Sequence, residues 1–499
     1  MKQVLTGNRH GSGSQTRKTA PAPSSVPVDN EVTFQTAERV KLRGSLSRVT
    51  RHLAVFELFT PVMTPRFSEV LGDFSIVLQS RKVYSGRAVI SKVMETGTKI
   101  ICEARLEEAH WKDIDFLLLA QDHRRIEKEF QSFLRGWELV YHLEPEFKVV
   151  VADLQTFFDD LRLWLDKLEL EIRNFAQPLR RQLETEIIEK LTQPICDIFD
   201  TFVVRFESIV VKLDEEKHPV HRSYFRRQLH SFILTSPFAQ RAYHKPLGYA
   251  GDYKMIEMMT DSPYQGETLF AKVVNVWLLG QLLVRAHLNR IARLEQKITE
   301  ETLRARSRER QAKILNIGCG PACEVSHFLE TQHIYGYADF TLLDFNEETL
   351  NDLRQKLTGI NRTLDEPASF SFIKKSVTQI IKDRGESLKL PNGEAYDYIY
   401  CAGLFDYLSD NVCKQLMNIF YQLLAPEGLL MVTNAADDRQ SSKPFRYSMD
   451  YMLDWNLLYR DREELASIAP DEADAGAVKV IIEDTGTNMF LEVRKQKNG

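Results

Sequence analysis

The stretch that most limits what this chain can become is Lys313–Glu324, KILNIGCGPACE. Ile314, Leu315 and Ile317 read as a short buried strand, Gly318-Cys319-Gly320 breaks it, and Pro321 to Leu329 reads as the opening turns of a helix. Strand, glycine turn and helix in that order bring backbone N–H groups close to a ligand. Roughly 20 residues on, a second apolar run, Phe340-Thr341-Leu342-Leu343, ends in Asp344, an acid placed to accept from two ribose hydroxyls. A dinucleotide site wants a third glycine so that helix can pack on strand, and here the pattern is Gly318-x-Gly320-x-x-Cys323. A nucleoside without a pyrophosphate fits better; an ordinary βα turn with no ligand is the plain alternative.

This stretch resembles motif I of the class I S-adenosylmethionine (SAM) methyltransferases, and Asp344 resembles their ribose-binding acid. The chain, at 499 residues, has room for two to four domains. A net charge of −5 gives no overall basic field of the kind nucleic acid binding needs. The six cysteines are scattered; Cys319 and Cys323 look like a metal pair, but no second pair has matching spacing, so neither a metal site nor a disulfide framework is expected. No window approaches a membrane-spanning apolar run and the N-terminus lacks a signal-peptide core, so a cytoplasmic protein is expected.

Four parts follow along the chain. Residues 1–30, rich in Gly, Ser and Pro, read as a disordered tail. Residues 31–105 carry β-rich runs (Leu53–Phe59, Phe74–Gln79, Val83–Val93, Lys99–Glu103) at the spacing of a small barrel. This segment resembles a degenerate PilZ domain: Arg39 and Arg43 keep that family's R-x-x-x-R spacing, whereas Arg66 stands where its second motif has an acid or Asn, and Gly72 comes one residue late. Nucleotide binding is therefore not expected there. Residues 106–230 read as helical. Leu154, Phe158, Leu161, Leu165, Leu168 and Ile172 form a heptad seam, and Pro178 starts a second helix with Leu179, Leu183, Ile187 and Leu191. The pair is a hairpin within one subunit or a homodimer interface. Residues 231–499 read as the Rossmann-like domain with helices before it as a lid, which makes the whole a multi-domain α/β chain.

His244–Tyr253, HKPLGYAGDY, is a shaped loop: Pro246, Gly248 and Gly251 disfavour a regular helix, yet it carries Tyr249 and Tyr253 beside Asp252 and His244. Aromatic rings with one polar edge suit a planar ligand, and a packed corner held by tyrosine hydroxyls is the alternative. GYAGDY, Gly266–Phe270 (GETLF), ILNIGCGPACEV and Ala402–Leu408 (AGLFDYL) together resemble the bacterial family for biosynthesis of extracellular factor, the methyl ester of 3-hydroxypalmitic acid. The resemblance covers roughly residues 230–495. It implies a SAM-dependent O-methyltransferase acting on a fatty-acyl or small-acid carboxylate.

Within the domain, the fold implies a cofactor site built from Asn316, Gly318, Gly320, Pro321, Asp344, Phe345, Ser376, Val377, Ala402, Gly403 and Phe405. Ser376 and Val377 stand where an acid and a small residue commonly meet adenine. Asp406 faces the reacting methyl or caps the next helix, the two readings being close to even. Between the fifth strand and the end, Asn434–Asp461 holds Arg446, Tyr447, Tyr451 and Trp455. With Tyr253, Asp406 and Tyr407 they are substrate-side candidates, Arg446 as counter-ion to an acid; a helix packing its aromatic face on the sheet is the alternative. Val478–Glu483 and Met489–Val493 read as a hairpin giving an antiparallel last strand. Methyl transfer from a sulfonium to a carboxylate needs no general base at neutral pH. For other nucleophiles, His244, Tyr249 and Asp252 are the catalytic candidates. The rival to an enzyme is a scaffold that binds SAM without turnover. S-adenosylhomocysteine is the product on the enzyme reading, and nucleic acid is not an expected partner.

Overall fold

The computed structural model describes residues 30–58, 65–78, 81–95, 100–107, 110–112, isolated positions between 127 and 138, 142–437 and 446–497. The expected tail, residue 30 apart, and Pro444-Phe445 of the aromatic insertion lie outside these. Six strands come first: β1 Glu31–Gln35, β2 Lys41–Thr50, β3 Leu53–Leu58, β4 Val70–Leu78, β5 Arg81–Glu95 and β6 Ile100–Leu106. They close into an antiparallel barrel in the order β1-β2-β3-β6-β5-β4. Alternate residues point inward, as the period-2 pleat requires. The interior is filled by Phe34, Phe56, Phe74 and Tyr84, with successive ring centroids 5.4–6.1 Å apart. Gly44 lets β2 lie against β3, since a β-carbon there would stand 2.8 Å from the Glu57 carbonyl. The sequence shows four apolar runs where the barrel has six strands. The two others, β1 and the arginine-bearing β2, each bury only two residues, Val32 and Phe34 on β1 and Leu42 and Gly44 on β2, between polar ones.

The helical body follows. Helices α1 Pro145–Ile172 and α2 Gln177–Val210 form an antiparallel hairpin within the chain. Phe147 meets Phe206 at one end, and Phe158 meets Phe199 farther along. Leu154, Phe158, Leu161, Leu165 and Ile172 are all buried, so the heptad seam is the face the helix uses. On α2 the buried stripe is instead Ile188, Ile195, Phe199, Val203 and Phe206. Then come α3 His218–Ile233, α4 Pro237–His244, α5 Tyr253–Thr260, α6 Leu269–Leu279 and α7 Leu282–Arg306. The apolar run from Leu269 is cut at Gly280, and α7 turns away by 57°. Among the described residues no single helix is long and apolar enough to cross a membrane; α6 and α7 pass only as a bent pair.

The third unit alternates strand and helix: β7 Ala312–Ile317, α8 Cys323–Thr331, β8 Ala338–Asp344, α9 Glu347–Asn361, β9 Ser369–Lys374, α10 Val377–Lys382, β10 Tyr396–Cys401, α11 Asp410–Leu423, β11 Leu424–Ala435, α12 Arg446–Leu453, α13 Arg462–Ser467, β12 Val478–Ile482 and β13 Asn488–Arg494. The sheet order is β12-β13-β11-β10-β7-β8-β9, with β13 antiparallel to β11. Helices α7, α8 and α9 cover one face and α10, α11 and α13 the other, giving three layers. Helix α12, inserted after β11, leaves the sheet and enters the core of the helical body. There Tyr451 is fully buried against Phe147, Phe206 and Phe225.

One carboxylate joins all three units. Asp454, just past α12, accepts from Arg226 of α3 at 3.0 Å and from Lys245 at 2.6 Å, and faces Arg43 of the barrel at 3.9 Å. Burial alone would raise its pKa; the charges of Arg226 and Lys245 hold it down at about 2. Its unfolded value lies near ~4, so this carboxylate stabilises the fold above pH ~4 and ceases to as pH falls toward ~2. Asp454→Asn lowers the unfolding free energy by about 2–3 kcal/mol at pH 7. Urea titrations should show the wild-type and variant midpoints converging as the pH is lowered through that window.

Candidate functional site

The site lies at the carboxyl ends of β7, β8 and β10, where the strand order reverses. Leaving β7, the chain passes through Gly318 at φ +66° and Gly320 at φ +51°, and then Ala322 at +42°, before α8 starts. A β-carbon at Gly320 would meet nothing within 4 Å, so its left-handed backbone borders open space rather than packed protein. Asp344, only 5% exposed, ends β8. One of its oxygens accepts from Gly320 N at 3.1 Å and the other from Asn346 N at 2.9 Å. Burial lifts its pKa while these N–H groups pull the other way. The next side chain, Phe345, is 51% exposed, a large apolar ring left bare beside a buried acid.

The loop 245–252 crosses this cleft. The Tyr249 ring lies 5.3 Å from that of Phe345, tilted by 56°. Burial, with the charges of Asp344 and Asp252, pushes the Tyr249 hydroxyl up to about 12. At the loop's other side the Tyr407 hydroxyl donates to the Ala250 carbonyl at 3.3 Å and accepts from Trp455 Nε1 at 2.8 Å. Asp252 caps α5 through Met255 N at 3.0 Å and accepts from Arg241 Nε at 2.9 Å. Its second oxygen faces Arg241 Nη2 at 2.8 Å, at an angle that makes an ion pair rather than a hydrogen bond. Tyr253 donates to Glu348 on α9 at 3.1 Å, which pins the roof to the far side of the cleft.

The predicted residues therefore divide. Gly318, Gly320, Asp344, Phe345, Tyr249, Gly403 and Tyr407 gather around the cleft. Ser376 caps α10 in a reciprocal pair with Gln379, and Val377 opens that helix at the exit of β9. Ala402 stands at the exit of β10, and Gly403, at φ +90°, donates to Thr433 Oγ1 at 3.0 Å. Asn316 sits under the turn, donating to Glu324 and to Tyr400 Oη; Pro321 is buried, and Phe405 is fully buried in the sheet core. Asp406 does not cap α11: it accepts from Ala435 N at 2.7 Å, and burial lifts its pKa to about 6 against the pull of Arg290.

His244 does not join the cleft group. The charge it feels is that of Arg43, its ring nitrogens have no hydrogen-bond partner, and burial takes its pKa to about 4. Of the substrate-side candidates, Tyr451 shares a hydrogen bond with His218 in the helical core, and Tyr447 stacks on His218. Arg446 lies over the Tyr459 ring, 3.7 Å from Asp437. Packing of the aromatic insertion on the helical body is thus the arrangement seen. Trp455, a substrate-side candidate, instead holds the roof through Tyr407, and Arg290 is the residue the sequence reading left out. Ala286, Arg290, Leu294 and Ile298 make a period-4 buried row on α7, and a cation in such a row was the available signal. Among the described residues, no group of three His, Cys, Asp or Glu is placed to hold a metal.

Residues 315–430 match a family model described as a methyltransferase domain. No curated protein matches the sequence. Among solved structures, the chain is similar to a possible exported protein from Bordetella parapertussis, at 15% identity over 49% of this chain and 79% of that one, TM-score 0.37. It is also similar to magnesium protoporphyrin IX methyltransferase from Synechocystis PCC 6803 with bound S-adenosylhomocysteine, at 11% identity over 42% and 84%, TM-score 0.29. A third is the N-methyltransferase NodS from Bradyrhizobium japonicum WM9, at 13% over 42% and 98%, TM-score 0.26. The matched model and the order of the sheet agree that the C-terminal unit has the fold of SAM-dependent methyltransferases.

Gly251, at φ +70°, lies under the roof: a β-carbon there would stand 2.7 Å from Trp455 Cζ2 and 3.1 Å from the Tyr407 hydroxyl. Gly251→Val should lift the loop off its seat without unfolding the domain. Hydrogen exchange across 246–253 should quicken roughly 10-fold or more, with α8 and α11 unchanged.

Proposed function

We propose that the protein is a SAM-dependent methyltransferase acting on an oxygen of a carboxylate carried by a fatty-acyl chain or a small organic acid. The observation that carries the donor part is the open left-handed glycine turn tied by its Gly320 N–H to a buried acid, with a bare aromatic ring beside it. The parts fit the donor: Asp344 for the ribose hydroxyls, Phe345 and Tyr249 for the adenine faces, Ser376 and Val377 for its edge, and the Gly318–Gly320 turn for the amino-acid tail. Bound there, S-adenosylmethionine supplies a methyl group already activated by a sulfonium, and S-adenosylhomocysteine remains. The chain's own work is alignment and exclusion of water. The roof loop does this, held by Tyr407, Tyr253 and the Asp252–Arg241 pair.

A carboxylate acceptor is supported by the state of the groups that would otherwise act as bases. Asp252 is committed to Arg241 and its helix, Tyr249 keeps its proton far above neutral pH, and His244 faces Arg43. A carboxylic acid, with reference pKa near ~4, arrives ionised and needs none of them. The resemblance to the extracellular-factor family points the same way.

The second reading, a regulator with a silent methyltransferase fold, is favoured by one feature, the Arg43–Asp454–Lys245 joint that links the barrel to the roof. On either reading we take the barrel as PilZ-like without its nucleotide, because Arg43 is spent on Glu31 and Asp454. Leu163, Leu170, Val204 and Val211, exposed on the α1–α2 hairpin, are the surface we assign to self-association as a homodimer.

Incubation with isotopically labelled SAM and 3-hydroxypalmitic acid should give the labelled methyl ester by mass spectrometry. Binding without transfer to that acid or to any acid in a cell extract favours the regulator. Asp344→Ala should weaken SAM binding roughly 10- to 100-fold by calorimetry, and unchanged affinity would refute the ribose assignment.

A further inference from the structure

We infer that Arg290 is the carboxylate receptor of this site, and that the carboxylate it holds is the amino-acid end of the methyl donor. The inference rests on reading the cleft as a SAM site and adds a residue that neither the glycine turn nor Asp344 implies. Arg290 projects from the buried row of α7 and is only 7% exposed. Among the described residues its guanidinium makes no hydrogen bond and no ion pair. That is not the habit of this chain. Arg293, one turn on, pairs with Glu492 at 2.8 Å; Arg494 holds Glu301 at 2.7 Å and Arg310 holds Asp397. A buried cation is costly unless paired, so an arginine kept without a partner marks the place of an anion that comes and goes.

Its position says which anion. The guanidinium lies against Gly403, where a β-carbon would stand 3.1 Å from Nη1. Leu404, the next residue, lies over Gly318, so the exit of β10 adjoins the glycine turn. The acids nearby are already engaged: Asp406 with Ala435 N, and Glu324 with Asn316 and Tyr400. Burial lowers the Arg290 pKa, and those two acids at longer range oppose the shift. Strand order puts Asp344 on one side of β7 and Gly403 on the other. Two strand spacings, about 10 Å, separate the two exits. A ribose joined through sulfur to an amino acid spans such a gap, with its sugar at Asp344 and its carboxylate at Arg290. The fork geometry of a guanidinium matches a carboxylate with two parallel hydrogen bonds.

The test uses two probes that share nucleoside and sulfur but differ in the tail: S-adenosylhomocysteine and 5′-methylthioadenosine. Calorimetry on the full chain should show Arg290→Met weakening S-adenosylhomocysteine roughly 10- to 100-fold while leaving methylthioadenosine unchanged. Arg290→Lys should recover part of the loss. The ligand-free Arg290→Met protein should melt no lower than wild type, which a residue with a structural role would not allow. Equal loss of both probes, or loss of neither, overturns the inference. Loss confined to hexadecanoate added to the S-adenosylhomocysteine complex also overturns it, by moving the cation to the acceptor's carboxylate. If wild type binds neither nucleoside, the functional reading itself fails, and that result stands apart from the others.

Discussion

Asp344 is the carboxylate on which the geometry of the cleft depends. It ends β8, and its two oxygens are held by peptide N–H groups from different directions, Gly320 at 3.1 Å and Asn346 at 2.9 Å. The first bond fixes the left-handed turn after β7; the second fixes the start of α9. One buried acid thus sets the spacing between two neighbouring strand exits. Its burial raises the cost of the charge, and the N–H groups offset part of that cost, so the acid is kept in a state that favours further donors. Two ribose hydroxyls are donors of that kind. An apolar residue at this position would leave Gly320 N without a partner and the turn without its tie.

The roof depends on an equally local arrangement placed far away in sequence. Lys245 takes a left-handed conformation at the end of α4, and its ammonium reaches Asp454, one residue before Trp455. Trp455 in turn holds Tyr407, and Tyr407 holds the loop carbonyl at Ala250. Arg43 approaches the same Asp454 from the barrel. Barrel, helical body and roof therefore meet in one cluster of charges, and the loop over the cleft is anchored by groups from all three. Helix α12 makes this possible by leaving the sheet after β11 and burying Met449, Tyr451 and Met452 among the helices.

What the sequence made legible follows from how local each signal is. The glycine turn, Asp344, the heptad seam of α1 and the antiparallel last hairpin each lie within a short window, and the structure has each in place. Strands β1 and β2 were illegible because their inward positions hold few large apolar residues amid charged ones. The break at Gly280 is hard to read because apolar residues continue on both sides of it. His244 and Tyr451 could not be placed from sequence, since what decides them is which distant element faces them: the barrel for His244, and α1, α2 and α3 for Tyr451. Arg290 was readable only as a misfit, one cation in an apolar row.

That misfit carries an energetic consequence. A protein interior rarely retains an unpaired guanidinium, because removing it from water is repaid only by an anion held in good geometry. In the ligand-free chain the cost is borne by the packing of α7 on the sheet, through Leu294, Ile298 and Ala305. An arriving carboxylate turns the same residue from a liability into a bond, so ligand binding and the seating of α7 favour one another. Helix α7 leads directly from the helical body into β7, the strand that ends at the glycine turn. Occupancy of the cleft should therefore tighten the joint between helical body and sheet, and the added stability grows with ligand concentration over its dissociation constant. The barrel is joined to the roof through Asp454. It is positioned to feel that tightening without touching the ligand.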